Sequence, residues 1–478
     1  MNRSHCTRSR IAGVLAGLVA FGATWAAYGQ PDERVTGESL LQQQRLIDEK
    51  LAQERKELAP LDTLLDWQWG GWLEYYVFHF QDGIQSQRVL QRPGLSLWTR
   101  LNLDGGAHEI FARMRFTLEY FGAGDKFTRQ RDWIGPNLER GWYQIDVGRA
   151  LRLTEPDDPY QLRVRLGRQD AQFGTGYTLD MPLDAVKLDI KLYDFRVIGL
   201  FGKAIASYPN VDRSRPVYDH SGRCFMGAQV SYEGFQNHRP FAYALWNDDS
   251  TDERPKDPLQ NYSYETRYFG IGAQGSLMHN LNYWTEWVYE AGRSYGDGQV
   301  WRRDSVDAWA WDVGLEYLWD CITRPRISAE YMFASGDADR WLSPTNAAGG
   351  NRGDSRDTSF VGFGYRDTGI AAALSRSNLH IWRLGGGFVP LEKIDFCRDL
   401  EVGTNWFLYH KHHSRGAVSD PTAEDFAGYV GWEMDYYINW RFASDLSWTM
   451  RWGAFFPGEA YPDRDTRSFF FTGITWSF

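Results

Sequence analysis

The chain reads as an all-β protein: a transmembrane antiparallel β-barrel of about 18 strands, within a range of roughly 14 to 20, preceded by a short N-terminal helix. Three observations lead there. The 478 residues include 22 Trp, 26 Tyr, 28 Phe and 48 Gly. A water-soluble core of this size would lean on Leu, Val and Ile, whereas a barrel needs aromatic girdles at the membrane interfaces. Hydropathy alternates with a period of two over most of the chain, as a strand wet on one face requires. The only apolar run long enough to form a membrane helix lies near the start, so further insertion must use strands.

The elements follow in order. Arg3, Arg8 and Arg10 precede an apolar stretch at 11–27, and Ala27, Tyr28 and Gly29 form a small-x-small site, so residues 1–29 read as a signal peptide. Residues 30–65 read as a periplasmic helix or tether. Leu40, Ile47, Leu51 and Leu58 recur at helical spacing within 36–59, and Pro60 closes the run. That helix is a candidate for self-association or a periplasmic partner, with a solvated tether as the alternative. Residues 66–478 read as one outer-membrane barrel domain.

Strands are expected at 66–80, 93–104, 108–122, 137–151, 160–171 and 183–190. They continue at 192–203, 221–233, 239–247, 263–276, 280–293 and 306–320. The last six fall at 326–335, 376–391, 400–413, 426–442, 444–457 and 466–478. Alternation is plainest in 111–121, where Ala112, Met114, Phe116, Leu118 and Tyr120 oppose Arg113, Arg115, Thr117 and Glu119. In 307–319, Trp309, Trp311, Val313, Leu315, Tyr317 and Trp319 oppose Asp312, Gly314 and Glu316. In 428–441, Val430, Trp432, Met434, Tyr436, Ile438 and Trp440 oppose Gly431, Glu433, Asp435 and Asn439. The long connection at 335–356 is expected outside the cell or folded into the lumen. The final strand sets Phe470, Thr472, Ile474, Trp476 and Phe478 on one face, the pattern by which the barrel assembly machinery would read Phe478.

Parity also names the lumen. Arg113, Arg115, Arg163, Arg165, Arg383, Lys411 and Arg451 fall on the wet face. Rings of fixed positive charge favour anions in a pore, and a guanidinium holds a carboxylate in a fork. Glu119, Asp312, Glu316, Glu433 and Asp435 fall on the same face, so the lining is mixed, and each Arg could instead pair with an acid and stiffen the wall. The formal net charge of -10 argues against a nucleic-acid partner. No GxSxG, HExxH or phosphate-binding loop occurs, so neither a catalytic centre nor a cofactor is expected. Cys224, Cys321 and Cys397 show no metal-ligand spacing. His410, His412 and His413 read as rim histidines rather than a metal site.

Arg165, Gly167, Arg168 and Gln169 form an RxGRQ strand-and-turn pattern. It resembles the signature of the alginate-export outer-membrane porin family. The run from Arg451 through Gly453, Pro457 and Gly458 to Tyr461, ahead of a last strand ending in Phe, resembles that family's penultimate strand and turn. Weaker similarity lies at 331–336, 365–369 and 408–411. The resemblance implies an 18-stranded barrel whose Arg-rich constriction passes polyuronate, with Arg165, Arg168, Arg366, Lys411 and Arg451 as constriction residues. Arg168 departs from this, because parity sets it on the apolar face. It must then lie past the bilayer edge or where the strand bends. The N-terminal helix is not part of the family pattern.

The expectation is therefore an outer-membrane channel of a Gram-negative-type bacterium. It touches lipid and conducts an anionic polysaccharide or oligosaccharide such as alginate, with export the favoured direction. The rival readings are a general diffusion or nutrient-uptake porin without polyuronate preference, an enzyme or surface protein with a plugged lumen, and a soluble secreted β-protein.

Overall fold

The computed structural model describes residues 65–83, 87–123, 131–153, 158–205, 222–249, 264–294, 303–344, 351 and 356–478. The expected signal peptide at 1–29 and the expected helix at 36–59 lie outside these residues.

Among the described residues one sheet takes in all the strands. Eighteen of them close into an antiparallel barrel. In chain order they are β1 Leu65–Gln81, β2 Arg88–Leu103, β3 His108–Ala123, β4 Arg131–Asp146, β5 Tyr160–Phe173 and β6 Leu179–Leu192. Next come β7 Phe195–Ala204, β8 Arg223–Tyr232, β9 His238–Asp249, β10 Glu265–Met278, β11 Leu281–Arg293 and β12 Ser305–Leu318. The circuit ends with β13 Arg326–Ala334, β14 Leu379–Phe388, β15 Leu400–Lys411, β16 Tyr429–Arg441, β17 Leu446–Pro457 and β18 Arg467–Ser477. A two-residue piece, Arg356–Asp357, pairs parallel with the start of β12. β1 pairs with β18 from Trp72 opposite Ser477 to Gln81 opposite Ser468, which closes the ring. Gly71 and Phe478 then exchange backbone hydrogen bonds at 3.0 and 2.9 Å, so the last residue caps the seam. Closure removes both sheet edges, which hydrocarbon cannot solvate.

One barrel rim carries tight turns. Tyr193 and Asn280, in the β6–β7 and β10–β11 turns, take left-handed φ values of 52° and 67°, the conformation that two-residue hairpins need. The other rim carries the longer connections, the longest of them between β13 and β14. Short turns mark the periplasmic rim of such barrels and long loops the outer one.

Side-chain exposure follows parity. On β12, Trp309 and Trp311 are 42% and 40% exposed while Asp312 between Trp311 and Val313 is fully buried. Leu384, Leu408, Ile474 and Trp476 are likewise exposed on the outer face. The apolar stripe therefore clothes the outside of a single closed sheet, and the ionic stripe lines its inside. That arrangement is incompatible with two stacked sheets burying the tryptophans.

The sequence-based strands match these positions with local differences. β2 begins at Arg88 rather than 93, because Pro93 sits within it opposite Tyr75. β4 runs from Arg131 and stops at Asp146, whose carboxylate accepts from Arg149 N and starts a short helix, Val147–Ala150. Val430 is fully buried among inner-face residues rather than outward, at a bulge where the β15–β16 register slips.

Candidate functional site

The lumen is divided by the segment between β13 and β14. Residues 358–376 turn inward, and wall carboxylates hold them by their backbone. Glu290 on β11 accepts from Val361 N at 2.9 Å. Glu433 on β16 accepts from Ala371 N and Ala372 N at 2.6 and 2.8 Å, and Asp435 from Ile370 N at 3.2 Å. Gly369 makes this approach feasible. Its φ is +88°, and a Cβ there would stand 2.5 Å from Tyr409 Oη and 2.6 Å from Glu433 Oε2. Phe360 and Val361 join the buried cluster around Tyr177, Leu179 and Tyr268. Ile370 packs with Tyr76, Phe78 and Phe471 from β1 and β18.

The β5–β6 connection also turns inward and meets this segment. Phe363 N donates to Thr178 O at 2.7 Å, and Tyr365 N to Gly176 O at 3.0 Å. Glu286 on β11 anchors that connection by accepting from Thr175 N at 2.6 Å and Thr175 Oγ1 at 2.5 Å. Arg376 donates to the carbonyls of Tyr177 and Gly364, with its guanidinium 4.5 Å from the Tyr177 ring. Together the two inward segments cover the wall from β8 round to β1. Apart from the start of β6, where Asp180 N donates to Phe363 O at 3.1 Å, the inner faces of β2 to β6 make none of the hydrogen bonds that hold them among the described residues.

The expected basic residues fall into three groups. In the first, carboxylates pair the cation. Arg113 lies 2.8 Å from Glu139, and Arg115 lies 3.6 Å from Glu139 and 3.9 Å from Glu74. Arg163 lies 3.4 Å from Asp146. Arg383 lies 3.1 Å from Glu330 and 3.8 Å from Asp367. Arg366 sits on the inward segment, 2.8 Å from Asp312 and 3.7 Å from Glu330, and donates to Thr175 O at 2.7 Å. Burial opposes its charge, yet the Asp312 and Glu330 carboxylates raise its pKa above the ordinary arginine value. Arg366 therefore pins one inward segment to the other.

The second group is braced by neutral atoms. Arg165 donates to Gln144 Oε1 from Nε and Nη2 at 2.9 and 2.7 Å. Arg451 donates to Asn439 Oδ1 at 3.3 Å. Lys411 donates to the carbonyls of Ala423 and Asp425 at 3.4 and 3.0 Å and so secures the connection after β15.

Arg168 stands alone and corrects the resemblance-based expectation. It points outward, donating to Asp184 at 2.8 and 3.1 Å and to Leu138 O at 2.7 Å. Strand parity makes a lumen position impossible for it while Arg165 and Gln169 face in. The RxGRQ run is instead a three-strand clasp. Gly167 has a φ of +126°, and a Cβ would strike Gly141 O of β4 at 2.3 Å. Gln169 is fully buried and donates to Ala185 O of β6 at 3.0 Å.

Of the expected acids, Asp312, Glu433 and Asp435 are anchors for the inward segment, and Glu119 lies 3.5 Å from Arg92. Glu316 is half-buried on the inner face of β12, opposite Ser328 of β13. Sequence reading missed Arg92, Glu286, Glu290 and Glu330. Glu286 and Glu290 were within reach, since the run 281–293 alternates and sets them opposite Trp287 and Tyr289. Arg92 was lost by starting the strand at 93 rather than at Arg88. The run from Arg451 to Tyr461 also has a structural part. Tyr461 Oη and Arg467 Nη1 both donate to Asp420, at 3.1 and 2.7 Å, and tie two outer connections together.

Comparisons with known proteins agree with this architecture. Residues 152–473 match the family model described as alginate export. Among solved structures, the chain is similar to OccK5 (OpdH) of Pseudomonas aeruginosa, with a TM-score of 0.51 at 10% identity, covering 86% of this chain and 98% of that one. A BenF-like porin from Pseudomonas fluorescens Pf-5 gives the same TM-score of 0.51 at 10% identity, covering 86% and 98%. OccK8 (OprE) of P. aeruginosa gives 0.50 at 12% identity, again covering 86% and 98%. No curated protein matches.

Proposed function

The chain belongs to the alginate export family and is an outer-membrane channel of a Gram-negative-type bacterium rather than an enzyme; from that premise we propose that it passes an anionic polysaccharide, a polyuronate such as alginate, outward by facilitated diffusion. The observation that carries this reading is the arc of β2 to β6, which the inward segments meet only at its ends, at Asp180 and in the cluster of Ile370 with Leu90 and Phe121. Arg92, Arg100, Arg113, Arg115, Arg163, Arg165 and Lys187 all face inward there, away from the anchored segments. Guanidiniums replace part of the water around each substrate carboxylate. Neighbouring Glu119, Glu139 and Asp146 weaken each grip, so successive sugars can be released. Arg451 faces the same space from β17.

A general diffusion pore without uronate preference draws support from the same pairs, since Arg113, Arg115 and Arg163 are partly neutralised. Planar-bilayer recording separates the two. In a polyuronate channel, uronate oligomers block conductance at lower concentration than neutral oligosaccharides of equal length, and Arg165→Glu with Arg451→Glu abolishes the difference. Equal block by both sugars, with cation selectivity indifferent to the two substitutions, rejects the polyuronate reading.

A further inference from the structure

Arg165 and Arg451 differ from the other arginines of the lumen wall in how they are held, and the difference is built the same way twice. Arg165 and Gln144 are direct register partners across β4 and β5. The Gln144 amide oxygen receives two of the guanidinium's donors, and the Trp142 ring lies 4.7 Å from its centre. Phe111 stacks on Trp142 at 4.3 Å and 23°, and fixes the ring from the other strand. Arg451 and Tyr437 are direct register partners across β16 and β17, with the guanidinium 5.1 Å from the Tyr437 ring. Asn439 Oδ1 accepts from Arg451 and, at 3.1 Å, from Thr449 Oγ1, so its orientation is set. Arg451 Nε has no hydrogen-bond partner among the described residues. Neither arginine has a carboxylate within 4.0 Å among the described residues, whereas Arg92, Arg113, Arg115, Arg163 and Arg383 all do.

A side-chain amide and an aromatic face orient a guanidinium without cancelling its charge. A carboxylate of the same shape would orient it and neutralise it. Gln144 and Asn439 differ from Glu and Asp only by an amide nitrogen in place of an oxygen, so the wall has the neutral member of each isosteric pair where the cation must remain available. We propose that Gln144 with Trp142, and Asn439 with Tyr437, are positioning residues that set specificity: they present Arg165 and Arg451 as two carboxylate-binding subsites, one on β5 and one on β17. This rests on the polyuronate reading for the identity of the anion. The paired arginines between them shape the field and give weaker contacts.

The test uses the full-length barrel in planar bilayers, with two readouts: the reversal potential in a KCl gradient and block by tetragalacturonate. Gln144→Glu and Asn439→Asp should each move the reversal potential toward cations and weaken tetragalacturonate block about tenfold, as losing a charge-assisted hydrogen bond would. Asn405→Asp, which adds the same charge to the inner face of β15 beside no brace, should do neither to that extent. Glu139→Gln should strengthen block, because it removes the carboxylate nearest to Arg113 and Arg115. Gln144→Met keeps the wall neutral and should weaken block by a smaller factor through loss of orientation alone. Unchanged reversal potential and block in both Gln144→Glu and Asn439→Asp, or changes no larger than in Asn405→Asp, overturn the proposal. Should the wild type show no preference for tetragalacturonate over maltotetraose, the polyuronate reading fails by itself. The reversal-potential shifts still decide whether the two braces keep their arginines charged toward the lumen.

Discussion

The two sides of the inner wall use the same charges to opposite ends. From β11 round to β16, Glu286, Glu290, Asp312, Glu433 and Asp435 are committed to backbone amides, a threonine and Arg366 of the inward segments. From β2 to β6, arginines meet acids on the wall itself, and Arg165 meets an amide and an aromatic ring instead. One side holds the inward segments; the other, together with Arg451 on β17, is the side proposed to meet the substrate. The contrast teaches that counting charges along a lumen says little about selectivity. What matters is which of them have their hydrogen-bonding capacity already filled by the protein.

The largest effect should come from removing the constriction. Replacing 359–374 with a short Gly/Ser linker leaves Glu290, Glu433 and Asp435 facing water and widens the lumen. Single-channel conductance should rise roughly threefold or more, as expected when a barrel of this size loses its inward loop. The freed carboxylates should also shift selectivity toward cations. If conductance stays at the wild-type level, the segment does not limit the pore, and the division between a built side and a conducting side falls.

Asp312→Asn is a sharper probe of the same division. It leaves Arg366 with only Glu330 at 3.7 Å and with carbonyl and hydroxyl partners. Breaking a buried ion pair on one side costs about 3 kcal/mol. The expected readouts are a lower unfolding midpoint in denaturant and flickering conductance as the two inward segments part. The same neutralisation on the open side, Asp146→Asn beside half-exposed Arg163, should cost well under about 1 kcal/mol. Equal destabilisation by the two substitutions would erase the asymmetry.

How much of this was legible in the sequence follows from what a period of two can encode. Alternation assigns a face, so the barrel, the outward tryptophans of β12 and the inward Arg113, Arg115, Arg165 and Arg451 could be read directly. It does not encode partners. Nothing local to Asp312 or Glu433 says that a segment tens of residues away in sequence will fold down onto it. The loop at 335–356 was expected in the lumen or outside, and much of it lies outside the described residues; among those described, the part that reaches inward is 358–376, and its path depends on anchors contributed by β10 to β16. Parity also separated Arg168 from the lumen where the family pattern had included it. That disagreement between a motif and a face was the one place where the sequence carried its own correction.

The smallest expected effect belongs to Arg168, and its smallness is the point. Its guanidinium bridges Asp184 and the Leu138 carbonyl on the outside of the barrel, on the far side of the backbone from Arg165. Arg168→Gln removes a positive charge three residues from a proposed subsite. If the wall screens the outer face as a closed sheet should, reversal potential and tetragalacturonate block stay at wild-type values, and stability falls by no more than about 1 kcal/mol because the pair is exposed. A change in block comparable to that of Arg165→Gln would mean that Arg168 reaches the lumen. The face assignment of β5 would then be wrong at the very residue that distinguishes a conserved-looking signature from a conducting one.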